Sequence, residues 1–410
     1  MSQTLKTLKD GDITRKALSI LHNELVFVKT INKQYDSRFA VSGAKNGGQL
    51  LIREPNQFTV RSGATMDTQD VTESTQTLTV ATQLGVDINF SSVELTLSLD
   101  DFADRILQPA MSRLAAEVDS TVIAGCYPYV YNHTHTTFGT APVLTDVLKA
   151  RTKLARGLTP RGDRVIMCDS NAANSIITAG YNIFNPSSEI SRQYDQGLVG
   201  QVYGFKFYES EMTPTHTNGT RQDTTPVCDT SGSGLTSGSS TIAITACSNA
   251  VTWKAGDVFT LAGVYAVNPE TKDVYDHLQQ FAVTTAITAT STAVSLTVTP
   301  TPVTSGAKMN CKVVTAASNS AVVNLTAGGS GAASTSYINS LAYHKDAFTF
   351  VTADLEMPQG VDFAARKVMD GISLRVVRNY DIVNDKFPCR IDVLFGYKCV
   401  RPEWACRISS

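Results

Sequence analysis

Residues 254–271 read KAGDVFTLAGVYAVNPET. This β-branched and aromatic run is bounded by turn residues, the pattern of a strand between turns. It does not stand alone. QQFAVTTAITATSTAVSLTVTP from Gln279 and NCKVVTAASNSAVVNLTAGG from Asn310 repeat the pattern. Residues 221–338 are therefore read as one all-β module, a barrel or sandwich, from which the helical signals of the first half are absent.

The flanks differ. TDVLKARTKLARGL predicts a helix stopped near Gly157 and Pro160, RVIMCDS a short buried strand, SNAANSIITAG a helix, and VGQVYGFKFYES strand again. After Tyr337 the mixed pattern resumes, and GISLRVVRNYDIVNDKFPCRIDVLFGYKCV predicts two strong strands around the turn NDKFP. The β module is thus an insertion into a mixed domain whose two parts must pair in space.

Further toward the N-terminus, residues 76–97 alternate as strands do. SLDDFADRILQPAMSRLAAEVDSTVIAG has Phe102, Ile106, Ala110, Leu114, Val118 and Val122 every four residues, a long helix. Ser98 with Asp101 resembles a capping box, and Pro109 either kinks the helix or starts a second one at its first turn. Residues 42–75 form a Gly-, Ser- and Thr-rich two-stranded loop around QLLIR and QFTVR. An isolated hairpin is marginal in water, so it needs another surface. Residues 13–31 predict one amphipathic helix with Asp12 as N-cap. Its apolar stripe lies either on its own domain or on a neighbouring subunit.

Composition narrows the function. The chain has 410 residues, 42% apolar and 18% charged, enough for two or three domains with sizeable cores. A net charge of −2 argues against a broad basic surface for nucleic acid. No apolar run is long enough for a transmembrane helix, and MSQTLKTLKDGDITRKAL lacks a signal-peptide core, so a cytoplasmic product is expected. The eight cysteines show no metal-binding spacing and read as buried thiols.

Motifs for chemistry are sparse. His344-Lys345-Asp346 places histidine beside carboxylate, but adjacent strand residues face opposite ways and no nucleophile motif accompanies them. His133-Thr134-His135 offers two imidazoles without a third ligand and reads as a loop. SGSGLTSGSS lacks the Lys of a phosphate loop. The sequon at Asn218 is discounted for want of a secretion signal. No catalytic, cofactor or metal residue is assigned, and the chain is expected to work through surfaces.

The order of segments, with KAGDVFTLAGVYAVNPET followed by LQQFAV, and LAYHKDAFTFVTADLEMP from Leu341, resembles the major capsid protein of tailed bacteriophages. The likeness is to the Hong Kong 97-type shell fold, in the form carried by the short-tailed transducing phage of Salmonella. It implies an α+β capsid fold with an inserted β-barrel. The implied segments are an N-terminal arm (1–40), an extended loop (42–75), peripheral strands and spine helix (76–127), and an axial-type domain (128–220). The insertion (221–338) and closing long strands (339–410) complete the order. His344 and its neighbours then lie at a domain junction.

The resemblance also implies a virion capsid assembled in the host cytoplasm from hexamers and pentamers of this chain. The implied partners are a scaffolding protein, a portal protein and packaged double-stranded DNA met only weakly, without a membrane. Lys45, Arg53 and Arg61 are expected to make inter-subunit ion pairs. Asp10, Asp12 and Glu24 are expected to anchor the scaffolding protein. No covalent cross-link between subunits is expected. An enzyme with an unrecognised site and a β-rich tail or adhesin component are the alternatives.

Overall fold

A computed structural model describes residues 10–36, 49–66, 68–70, 73–91, 107–135, 140–180, 201–220, 226–228, 235–247, 250–290, 292–314, 322–324 and 334–409. The chain divides into two compact units, each discontinuous in sequence.

The first unit comprises Met1–Arg53, Thr75–Val122 and Phe348–Lys398. Its six-stranded sheet runs in the order Asn32–Asp36, Phe348–Ala353, Lys386–Cys399, Ile372–Arg378, Phe363–Met369, with Thr82–Ser91 also on Lys386–Cys399. The two predicted closing strands pair antiparallel, Arg375 opposite Asp392. Their turn sits earlier than the NDKFP reading. The Asp381 carboxylate accepts the Val383 N–H at 3.0 Å and the Asn384 amide at 2.7 Å, so the strand has already begun at Lys386. Asn32–Asp36, within the expected arm (1–40) but beyond the helix expected over 13–31, is a strand parallel to Phe348–Ala353.

Helix α1 (Asp10–Glu24) packs on the strands Phe363–Met369 and Ile372–Arg378. Its stripe of Ala17, Leu18 and Leu21 is buried by its own chain. Because the helix already includes Asp10, Asp12 lies inside its first turn and is not the N-cap. The predicted single helix breaks after Glu24 and restarts as α2 (Phe27–Thr30). The cause is Asp119 on α3 (Gln108–Cys126). Its buried carboxylate accepts the backbone N–H groups of Val26, Phe27 and Val28 at 2.7, 3.1 and 3.0 Å. Those donors belong to a helix start, which a mid-helix position would have paired within the helix. Pro109 is the second residue of α3, and residues 92–106 before it lie outside the described residues. Leu114, Val118 and Val122 are buried as the four-residue spacing required, while Ser98, Asp101, Phe102 and Ile106 lie outside the described residues.

The second unit comprises Glu54–Ser74, Ile123–Ala347 and Cys399–Ser410. One seven-stranded sheet runs His133–Thr134, Ala405–Ser409, Ser336–His344, Arg164–Cys168, Phe205–Glu209, Gln201–Val202, with Thr215–Thr217 on Ser336–His344. Helices α4 (Leu144–Arg156) and α5 (Ser170–Gly180) contribute Val147, Ala150, Leu154, Ala172, Ala173 and Ile176 to its core. The chain leaves this sheet after Thr217 and returns at Ser336.

Between those points lies a second seven-stranded sheet, ordered Val227–Cys228, Thr241–Thr245, Ala293–Thr299, Val274–Val283, Val258–Val267, Cys311–Val313, with Val322–Asn324 also on Val258–Val267. Among the described residues its ladder is an open path, without the closing pair a barrel needs. It has its own core, in which Trp253 meets Phe259 edge-on at 5.7 Å and Phe259 lies tilted against Phe281 at 5.9 Å. Each such fully buried ring contributes roughly 2–3 kcal/mol.

Candidate assembly surfaces

The extended hairpin is built from few bonds. Gln49–Arg53 pairs antiparallel with Thr75–Thr79, and Leu50, Ile52 and Leu78 lie against Val80, Val351, Ala353 and Leu394. Beyond it the Glu54 N–H donates to the Ser74 carbonyl at 2.9 Å. Side chains then take over. The Gln69 amide spans the loop, accepting the Thr59 N–H at 2.8 Å and donating to the Thr59 carbonyl at 2.6 Å. Arg61 curls over its own turn, donating to the carbonyls of Gly63 and Thr65. Gly63 has φ +100°, a conformation that favours glycine.

Phe58, Val60 and Met66 are 58, 98 and 76% exposed. Three large apolar groups on one polar loop are a contact surface in waiting.

A second surface is the end of the hairpin between Ile372–Arg378 and Lys386–Cys399. The Asp381 carboxylate holds the turn, and the Asn384 and Val383 donors lower its pKa from the usual carboxylate value. The Tyr380 hydroxyl donates to Asp385 at 3.0 Å and its ring lies 4.9 Å from Phe387. This fixed turn exposes Ile382 by 82% and Val383 by 85%.

Of the residues singled out from sequence, Arg53 is exposed at the end of its strand, opposite Thr75. Arg61 is exposed but engaged in its own loop. Lys45 lies outside the described residues, as do the side chains of Asp10 and Asp12. Glu24 ends α1, exposed. The apolar residues of both surfaces were missed. Phe58 and Val60 were read as part of a strand, QFTVR, but residues 57–61 form none, because QLLIR pairs with Thr75–Thr79 instead. Ile382-Val383, between Asp381 and Asn384, are apolar where no core pattern calls for them.

The rejected chemistry is accounted for. His344 ends its strand, buried edge-on to Trp404 at 5.4 Å, and burial holds its imidazole below the ordinary range. Lys345 turns outward to Asp163 at 2.8 Å, and the division between the units falls two residues on, after Ala347. His133-Thr134 is a strand, not a loop, because Arg407 and Ile408 pair with it. The His133 ring is buried, 2.6 Å from the Ser409 hydroxyl. Seven of the eight cysteines are buried, and Cys389 is partly so. Burial pushes the Cys168 and Cys406 thiols up to about 12, which leaves them inert at neutral pH. Asn218 is 1% exposed and unsuited to accept a glycan. Among the described residues no three His, Cys, Asp or Glu side chains form a metal cluster, and no helix is long and apolar enough to cross a membrane.

Within the second unit, the two sheets meet across a polar seam. Gln280 grips the His133 backbone like a strand, accepting its N–H at 2.9 Å and donating to its carbonyl at 3.1 Å. Asp257 pairs with His216 at 2.8 Å, both at most 2% exposed. Arg407, on the final strand and fully buried, donates to the Gly256 carbonyl at 2.7 Å. At its margin the Arg156 guanidinium pairs with Asp276 at 2.9 Å, donates to His277 Nδ1 at 2.6 Å and lies over Tyr275.

Residues 208–407 match the family described as P22 coat protein, gene protein 5. No curated protein matches the chain. Among solved structures, that of Mycobacterium phage Che8 is similar at 11% identity and TM-score 0.45, over 94% of this chain and 90% of that one. The capsid of Cyanophage P-SCSP1u is similar at 12% identity and TM-score 0.46, over 94% and 87%. The capsid of Ralstonia phage GP4 stands at 7% identity and TM-score 0.45, over 93% and 87%.

Proposed function

We propose, from the premise that this chain is a tailed-phage coat protein whose residues 208–407 are of the P22 family, that its copies close into the icosahedral shell around the phage's double-stranded DNA. The chain is a structural component of the virion capsid and not an enzyme. The family match carries this reading. The exposed apolar groups at Phe58, Val60, Met66, Ile382 and Val383 support it, because a shell protein needs contact surfaces that stay uncovered in the single chain.

In this reading assembly takes place in the host cytoplasm with a scaffolding protein, and a portal protein occupies one vertex. Many modest interfaces suit the task, since each can dissociate and correct errors while the closed shell is held by multivalency. Lys45, Arg53 and Arg61 are the basic side chains proposed to pair with a neighbour. Asp10, Asp12 and Glu24 are those proposed to meet the scaffolding protein. A net charge of −2 fits DNA that is driven in and touched weakly.

The test is expression with the neighbouring genes, followed by a sucrose gradient and negative-stain microscopy. Uniform fast-sedimenting closed shells are expected. Only monomers or small oligomers, with a scaffold present, would overturn the reading. A denaturing gel of such shells is expected to show single chains without covalent ladders.

A further inference from the structure

The extended loop is tied at its base to the inserted sheet of its own chain. The Lys308 ammonium donates to the Ser74 hydroxyl oxygen at 3.0 Å, and that hydroxyl donates to Glu54 Oε2 at 2.7 Å. Glu54 and Ser74 are also joined by a backbone bond, the Glu54 N–H to the Ser74 carbonyl at 2.9 Å, at the point where the loop leaves its two strands. Lys308 itself stands on a stiff turn. Asn310 accepts the Val303 N–H at 2.9 Å and donates to the Thr301 carbonyl at 2.7 Å, Met309 N–H closes on Gly306 at 3.1 Å, and Lys272 donates to the Met309 carbonyl at 3.3 Å.

We propose that the turn carrying Lys308 is a brace through which the inserted sheet aims the extended loop, so that Phe58, Val60 and Met66 are presented to a second copy of this chain. The inference rests on the shell reading above and adds to it a positioning role for Lys308 and Ser74. The physical argument is preorganisation. A loop that reaches out from its strands loses entropy when it docks, and ordering its base beforehand removes part of that cost. The bond is exposed and worth little in one subunit. It acts in every copy of a shell, where small losses multiply.

The experiment compares, by sucrose gradient, the fraction of chain found in closed shells after co-expression, for the parent, Lys308→Ala, Lys308→Arg, Ser74→Ala and Val60→Asp. Thermal melts and hydrogen exchange of the unassembled chains run alongside. Lys308→Ala and Ser74→Ala are expected to lower the shell fraction by about threefold or more, with faster exchange across residues 54–74 and an unchanged melt. Lys308→Arg is expected to restore the shells. If Val60→Asp abolishes shells while Lys308→Ala assembles like the parent, the brace is overturned and the loop surface stands. If Val60→Asp also assembles normally, the loop is not a contact surface and the proposal falls with it.

Discussion

Asp119 illustrates how one side chain breaks an element. The apolar spacing of residues 13–31 continues through the break, yet three N–H groups leave the helix for a carboxylate 91 to 93 positions away. Removing that acceptor strands three donors, two of them buried. Asp119→Ala is expected to cost about 3 kcal/mol or more in a urea melt of the unassembled chain, and Asp119→Asn to cost less. A near-neutral Asp119→Ala would show that α2 needs no capping from α3. Asp392 makes a similar case. It is 1% exposed between Arg375 at 2.7 Å and Arg390 at 2.8 Å. Gly85 leaves room for it, since a Cβ there would come within 2.5 Å of Asp392 Oδ1 and 2.7 Å of the Ile391 carbonyl. Gly85→Ala is expected to lower the melting temperature clearly, whereas Gly162→Ala, at a site with nothing within 4 Å, is not.

At the scale of elements, the margin of the second unit's seam is expected to contribute to acid sensitivity. Arg156 donates to His277 Nδ1, which must therefore be unprotonated. Burial first, then the charges of Lys153 and Arg156, push this imidazole from 6.5 down to about 4, against the opposing pull of Asp276. The unfolded chain takes up this proton near pH 6.5 and the folded chain does not until near pH 4. The contribution is therefore complete above pH 6.5 and declines as the pH falls toward 4. His277→Gln is expected to flatten the fall of the urea midpoint between pH 7 and pH 4.5. An unchanged slope would place the acid sensitivity elsewhere. The inserted sheet has the Trp253–Phe259–Phe281 core, so residues 221–338 alone are expected to melt cooperatively. They should melt below the full chain, because Asp257 then lacks His216 and Gly256 lacks Arg407. A fragment without a cooperative transition would refute independent folding.

For the whole molecule, the informative variants are those that spare the subunit and disturb the shell. Ile382→Asp with Val383→Asp replaces two groups that are 82 and 85% exposed, so the melt of the unassembled chain should hold while closed shells become rare. Normal shells from that double variant would remove the turn from the list of contacts. Arg53→Glu should lower shell yield through charge reversal, and more so at low salt, where an exposed pair is less screened. Salt-independent, parent-like yield would sink the ion-pair reading of Arg53.

Local pattern was enough for several elements. The strand and helix periods of residues 145–180 and 201–209, the stop of α4 at Gly157 and the β character of residues 254–271 were legible because each is encoded within one or two turns of chain. The shell reading came from segment order, and the P22 family match over residues 208–407 agrees with it. Tertiary structure alone decided the rest. The break before α2, the strand at Asn32–Asp36 and the strand at His133–Thr134 each depend on a partner far along the chain, Asp119, Phe348–Ala353 and Arg407–Ile408. No spacing in the sequence announces such a partner. The burial of the α1 stripe was likewise open until the strands Phe363–Met369 and Ile372–Arg378 were seen to cover it. Periodicity tells which face of an element is apolar; only the folded chain supplies what that face lies against.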